Sequence, residues 1–222
     1  MSGGAQGLVI QALTQTAGRG RHGRIWESGT GNIALSLLLR PLCSPEIIGQ
    51  LAIMTGLAVA RVVRGCVRHP EDVILKWPND VLLGGRKCAG ILLETELDAQ
   101  AQIAWVAVGV GLNVASAPEG LGAAVQDFAA SPLAREEIVK QFLETLGGLY
   151  ETWQAEGFAR IKNEWLALTV PVGTEVSVKT QQGGFHGAFM DLDTYGNLIV
   201  RGGDGMLKTI SAGEVFYHAT GH

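Results

Sequence analysis

The chain has 222 residues, 47% of them hydrophobic and 17% charged, with a formal net charge of -4. That length admits one sizeable core and a small companion. The apolar content excludes a disordered chain, and the charge excludes an overall basic field steering the molecule to nucleic acid or an anionic membrane. Three cysteines, Cys43, Cys66 and Cys88, have no paired spacing and read as reduced thiols of a cytoplasmic protein. The first residues carry neither a basic nor an apolar segment, so no secretory signal is expected. The apolar stretch 51–60 is closed by Gln50 and Arg61 and falls short of the ~20 residues of a membrane span, so it reads as a buried helix.

Residues 7–15 are apolar and partly β-branched, a strand that runs straight into Gly18-Arg19-Gly20-Arg21-His22-Gly23-Arg24. Glycines there let backbone N–H groups approach an anion, and arginine forks clamp carboxylate or phosphate bidentately; an exposed basic turn is the plainer alternative. Residues 32–40 alternate with period two and predict a strand closed by Pro41. Helical spacing runs through 44–66, with Ser44-Pro45-Glu46 as cap, first helical position and first-turn acid. Strands are expected at 73–76, 81–83, 88–96 and 103–113, with Gly84-Gly85 as a tight hairpin turn. Residues 115–131 are expected to form a loop that orders around a ligand. Residues 135–168 return to helical spacing, broken near Gly157, and predict two helices over one sheet face. After Pro171 come short runs at 175–179, 185–191, 197–201 and 207–209 between glycine turns, a small β-barrel leaning on the first domain.

Three constellations could carry chemistry. The glycine-arginine loop is the first. The second is Lys76-Trp77-Pro78-Asn79-Asp80, followed by Arg86-Lys87-Cys88-Ala89-Gly90-Ile91. It offers cations for phosphate or carboxylate, an amide for orientation, and a carboxylate able to take a proton or help hold Mg²⁺. A proline turn with a surface lysine is the bland reading of the same residues. The third is Val108-Gly109-Val110-Gly111-Leu112-Asn113, where glycines inside a strand signal close approach of a backbone or flat ligand, or a simple bulge. His22, His69, His186, His218 and His222 have no metal-ligand spacing, so no resident metal is expected.

In this order, GRGRHGR, KWPND, RKCAGILLE, GVGLNV and a glycine-punctuated β-domain, the motifs closely resemble the biotin protein ligases from residue 7 to residue 218. The resemblance implies an α+β fold: a mixed, mostly antiparallel sheet with helices, of the class II synthetase kind, over 1–169, then an SH3-like barrel over 170–222. It implies ATP, Mg²⁺ and biotin as reactants, a biotinyl-adenylate intermediate, and a biotin carboxyl carrier domain as partner. Lys87, Arg19, Arg21 and Asp80 are then the catalytic candidates. Gln15, Thr16, Gly18 and Gly20 line the biotin and phosphate pocket, and Trp26 packs near adenine. Lys76 and Asn79 orient ligand, Gly90, Ile91, Gly109 and Gly111 wall the fused rings, and Asn113 meets the nucleotide. No helix-turn-helix precedes the catalytic domain, so no repressor role is expected. Relatives carry a Ser-Thr-Asn motif before the loop that is absent from the seventeen residues preceding Gly18, and an arginine where His218 stands. These departures keep open a binding-only homologue. A lipoate or octanoyl transferase is a further alternative, although its run of glycines after arginines is absent. The sheet edge of this fold offers pairing to the carrier or to a second copy, as a homodimer.

Overall fold

The computed structural model describes residues 4–181 and 183–218; His222 lies outside them. Its first sheet has six antiparallel strands in the order β1-β2-β6-β5-β4-β3. In chain order these are β1 (Val9–Ala12), β2 (Ile33–Leu39), β3 (Val73–Lys76), β4 (Asp80–Leu83), β5 (Arg86–Leu97) and β6 (Ile103–Leu112). The period-two pattern of β2 works as expected. Ile33, Leu35, Leu37 and Leu39 face the core, while Ser36 is exposed on the other side. Gly84 and Gly85, at φ 56 and 75, make the two-residue turn between β4 and β5. At the free edge, Ile10 of β1 is exposed, as is Leu8 just before the strand.

Helix α1 (Gly49–Cys66) lies against this sheet and is covered from behind by α3 (Arg135–Glu156) and α4 (Ala159–Leu166). The helix begins later than the spacing predicted. Pro45–Ile47 form a 3-10 turn, with Ser44 accepting from the Glu46 N–H at 3.3 Å. Leu51, Met54 and Leu57 are wholly buried, each worth about 2 kcal/mol of transfer free energy. The full helical stretch Pro45–Cys66 is long and apolar enough to cross a membrane, unlike the shorter stretch read from the sequence, but here 67% of its apolar window is buried inside the fold. Gly157, at φ 79, closes α3 by donating to the Trp153 carbonyl, a conformation that suits glycine.

Segment 115–131 is tied to the rest of the fold by long-range hydrogen bonds. The Asn32 carboxamide oxygen accepts from the N–H groups of Val114, Ala115 and Ser116 at 3.0 to 3.1 Å. Ala123 then donates to the Lys87 carbonyl, and Val125 to that of Asn113. With Ala123, Ala124 and Val125 buried, the segment winds into the short α2 (Val125–Phe128). Distant backbone groups satisfy what its own composition does not.

The C-terminal sheet runs β10-β9-β8-β7-β11, antiparallel throughout. Its strands are β7 (Glu175–Thr180), β8 (Gly183–Leu192), β9 (Leu198–Gly202), β10 (Leu207–Ile210) and β11 (Glu214–Tyr217), the last of which the sequence pattern did not announce. Val176, Val178, Phe189, Val200 and Val215 fill its interior. Polar ties fix it to the first sheet and its helices. The Trp77 indole donates to the Gly196 carbonyl at 2.9 Å, and the Tyr217 hydroxyl donates to the Leu75 carbonyl at 3.2 Å. Gln50 of α1 accepts from the Trp153 indole at 2.6 Å and donates to the Thr194 carbonyl at 2.7 Å.

Candidate active site

The face of the first sheet turned away from α1 is nearly bare at its centre. Pairing sets Gly90 opposite Gly111, and Gly111 opposite Ala34; the next row is Leu92, Gly109 and Ser36. Glycine removes the side chain that a strand would otherwise present on this face, leaving a backbone floor on which a flat ring can lie. A cavity of about 520 Å³ stands over it, bounded by the glycine-arginine loop, the β3–β4 turn and the segment after β6.

The β3–β4 turn is built from behind. Trp77 is 2% exposed, and its backbone N–H lies 3.4 Å from the Tyr217 hydroxyl as donor. Asn79 pairs with Ile91 twice, its side-chain amide donating to the Ile91 carbonyl at 2.7 Å and its backbone carbonyl accepting from the Ile91 N–H at 2.9 Å. The Ile91 side chain is buried, and the residue lines the cavity beside this grip on Asn79. Asp80 meets Lys87 Nζ at 2.6 Å through one oxygen and Lys76 Nζ at 3.7 Å through the other. One carboxylate between two ammonium groups leaves a net positive charge at the cavity rim. Burial of the neighbouring Cys88 pushes its thiol up to about 12, so it is no nucleophile.

The glycine-arginine loop is a short hairpin. Gly20 donates to the Arg24 carbonyl at 2.7 Å and Trp26 to that of Gly18 at 2.9 Å. His22 and Gly23 turn it at φ 57 and 73. Arg21 donates to Asn79 Oδ1 at 3.1 Å and to the Gly213 carbonyl at 3.3 Å. Burial pulls its pKa below the ordinary value while Asp80 and Glu214 oppose that, and a guanidinium remains charged throughout. Arg24 forks onto Glu214 at 2.8 and 2.5 Å. Hydrogen bonding to Arg24 holds the Glu214 carboxyl below the usual range, and the same bond raises Arg24. Arg19 lines the cavity; among the described residues neither a hydrogen bond nor an ion pair engages its side chain.

Trp26 covers the floor. A methyl group on Gly111 would fall 2.3 to 2.6 Å from its indole, and Lys87 Nζ sits 5.5 Å from the ring centroid. Among the described residues, two buried polar atoms beside the cavity lack partners, the Trp26 indole N–H and Asn113 Oδ1. One is a donor and the other an acceptor, the complement of a heteroaromatic ring with both functions.

Of the residues expected from sequence, Gln15, Arg19, Gly20, Arg21 and Trp26 meet at the cavity from the loop side. Lys76, Asn79, Asp80 and Lys87 meet them from the opposite side, over Gly90, Gly109, Gly111 and Asn113. Two do not join them. Thr16 is exposed outside the lining, and Gly18 is buried beneath the Trp26 carbonyl, where a side chain would stand 2.3 Å from that oxygen. His218 also stands apart, hydrogen-bonded to Ser177 at 2.5 Å. The sequence reading missed Ser36, Gly122, Gly213 and Glu214; no local signal marks Glu214, which arrives from 190 residues beyond Arg24.

Comparison with known proteins fits this geometry. Residues 4–113 match the biotin/lipoate A/B protein ligase family, and residues 172–217 match the biotin protein ligase C-terminal domain. A biotin--[acetyl-CoA-carboxylase] ligase of Paracoccus denitrificans is 38% identical over 94% of this chain and 89% of its own length. The chain belongs to the biotin protein ligase family. The Mycobacterium tuberculosis ligase of the same name is 35% identical, over 95% of this chain and 79% of its own. The bifunctional ligase/repressor of Bacillus subtilis is 31% identical over 93% of this chain, which spans 65% of that protein. Among solved structures, the Aquifex aeolicus biotin protein ligase in complex with biotin and ATP superposes with a TM-score of 0.81 at 26% identity, covering 97% of this chain and 90% of that one. The α+β architecture is therefore that of biotin protein ligases, with the family's C-terminal domain attached.

Proposed function

We propose that this protein condenses biotin with Mg-ATP to biotinyl-5′-AMP and pyrophosphate, then passes the biotinyl group to a lysine of a biotin carboxyl carrier domain. The observation that carries the reading is the glycine floor under a rim of Lys87, Arg21 and Arg19, beside two unpartnered polar atoms of opposite kind. A flat, polar-edged ring system with an anionic linkage is the ligand such a site complements. A biotin carboxylate oxygen attacks the α-phosphorus and pyrophosphate departs; the carrier amine then attacks the acyl carbon of the mixed anhydride and AMP departs.

This chain's residues orient the reactants and neutralise charge. In this reading Lys87 meets the negative charge that grows on the α-phosphoryl oxygens, its ammonium held 2.6 Å from Asp80. Arg21, clamped by Asn79, and the unengaged Arg19 supply forks for carboxylate and phosphate. Among the described residues no three His, Cys, Asp or Glu side chains gather to hold a metal, and Asp80 is committed to two lysines. Mg²⁺ therefore fits as a companion of the nucleotide's phosphates, with the charge screening that supplies, rather than as a resident ion.

The test is biotin-dependent exchange of labelled pyrophosphate into ATP, followed by transfer to a purified carrier domain. Exchange and transfer are expected. Absence of exchange at saturating biotin and Mg-ATP would sink the reading, and adenylate binding without transfer would leave a binding module.

A further inference from the structure

The geometry points to Glu214 as a positioning residue: it holds the glycine-arginine loop over the cavity through Arg24, so that the loop opens for ligand exchange only when this ion pair breaks. The inference rests on the reading of that loop as the arm that clasps the ligand. It concerns a pair that touches neither the floor glycines nor Lys87.

Three observations carry it. The first is geometry. The contact is a two-point fork between the end of the hairpin and the first residue of β11, at 2.8 and 2.5 Å, and Arg21 adds a bond to the carbonyl of the adjoining Gly213. Two arginines three residues apart thus seat on two successive residues of the C-terminal sheet.

The second is the contrast in stiffness across the pair. On the anchor side, Gly213 sits so tightly that a side chain there would meet the Lys179 carbonyl at 2.8 Å, and Glu214 is in register with Lys179 of β7. On the loop side, Arg19, His22, Gly23, Arg24 and Ile25 are all exposed. A fixed carboxylate therefore holds a soft arm.

The third is magnitude. The Arg24 side chain is 62% exposed and that of Glu214 29%. A pair so placed shifts an equilibrium by a few-fold, not by orders of magnitude. That is the scale of a latch that must release in every catalytic cycle; a deeply buried tie would trap the ligand. The lowered pKa of Glu214 agrees with a carboxylate that stays ionised to keep the contact.

The test is hydrogen exchange on the ligand-free protein, read at residues 18–26, for E214Q, R24Q and the double variant. Each single change is expected to speed loop exchange about two- to fivefold, and the double change no more than either single one, because the two side chains act through each other. Exchange at 73–83 and 190–198, where the C-terminal sheet is tied down by Trp77 and Gly196, should stay at the wild-type rate. In turnover, E214Q should raise the KM for biotin by a similar factor while kcat holds or rises. Unchanged loop exchange in E214Q overturns the proposal, as do additive effects in the double variant. Loosening of 73–83 together with the loop also overturns it, since Glu214 would then only glue the two sheets. The exchange measurement needs no turnover, so it stands apart from pyrophosphate exchange by the wild-type protein, which tests the ligase reading itself.

Discussion

The two sides of the cavity are constructed differently. The β3–β4 turn is buried and bonded from behind: Trp77 to Gly196 and Tyr217, Asn79 to Ile91, Asp80 to two lysines. The facing arm, residues 18–26, closes on itself with three backbone bonds and reaches its surroundings through the tips of Arg21 and Arg24 and the Trp26 indole. A group that must meet charge as it develops gains from being fixed in advance, because no energy is then lost to reorganisation during the reaction. A group that must admit a ligand and let a product leave gains from being cheap to move. The site separates these requirements onto two walls.

The hardest blow to this contrast is Lys87→Ala. It removes the fixed cation, and adenylate formation should fall about 10²- to 10³-fold, the scale found when one charge-stabilising donor is lost, with the circular dichroism and melting profile retained. If exchange of pyrophosphate persists near wild type, the rigid wall is not where charge is handled.

Gly111→Ala probes where the walls meet. The new methyl group falls 2.3 Å from the Trp26 indole, and the arm has to give way because the floor cannot. Overpacking of this kind costs about 1–3 kcal/mol, which predicts a roughly tenfold or greater rise in KM for ATP and a change in tryptophan emission without ligand. Wild-type emission together with wild-type KM would show that Trp26 does not rest on the floor.

Tyr217→Phe has the smallest effect. It deletes a hydroxyl shared by the Leu75 carbonyl, Thr169 and the Trp77 N–H, whose burial pushes its pKa up to about 12. A loss of about 1–2 kcal/mol should lower the melting temperature by several degrees, with kcat reduced only modestly. A larger fall in kcat than in stability would mean that the turn is tuned by this hydroxyl rather than merely held.

Much of this was readable from local pattern. Alternation in β2, helical spacing through α1 and α3, and the double-glycine turn follow from periodicity and backbone freedom within a few residues. Segment 115–131 was not readable, because its order comes from Asn32 and from carbonyls at Lys87 and Asn113. Strand β11 has only four residues and is defined by its pairing with β7. Within the motifs, contiguity alone does not bring Thr16 and Gly18 to the cavity. A motif names a stretch of chain, but strand alternation and hairpin packing decide which of its side chains reach the cavity. The Arg24–Glu214 fork has no local signature, since neither residue type at either place is unusual.

The bond from Trp77 to Gly196 has a consequence for modularity. The turn that carries Asn79 and Asp80 borrows its back wall from the C-terminal sheet, with Gly196 and Tyr217 standing where a solvent-filled gap would otherwise open behind an indole. Neither part of the chain is a cassette. A chimaera joined near residue 170 would need to inherit both contacts from one parent, or its chemistry would be assembled on a turn with nothing behind it.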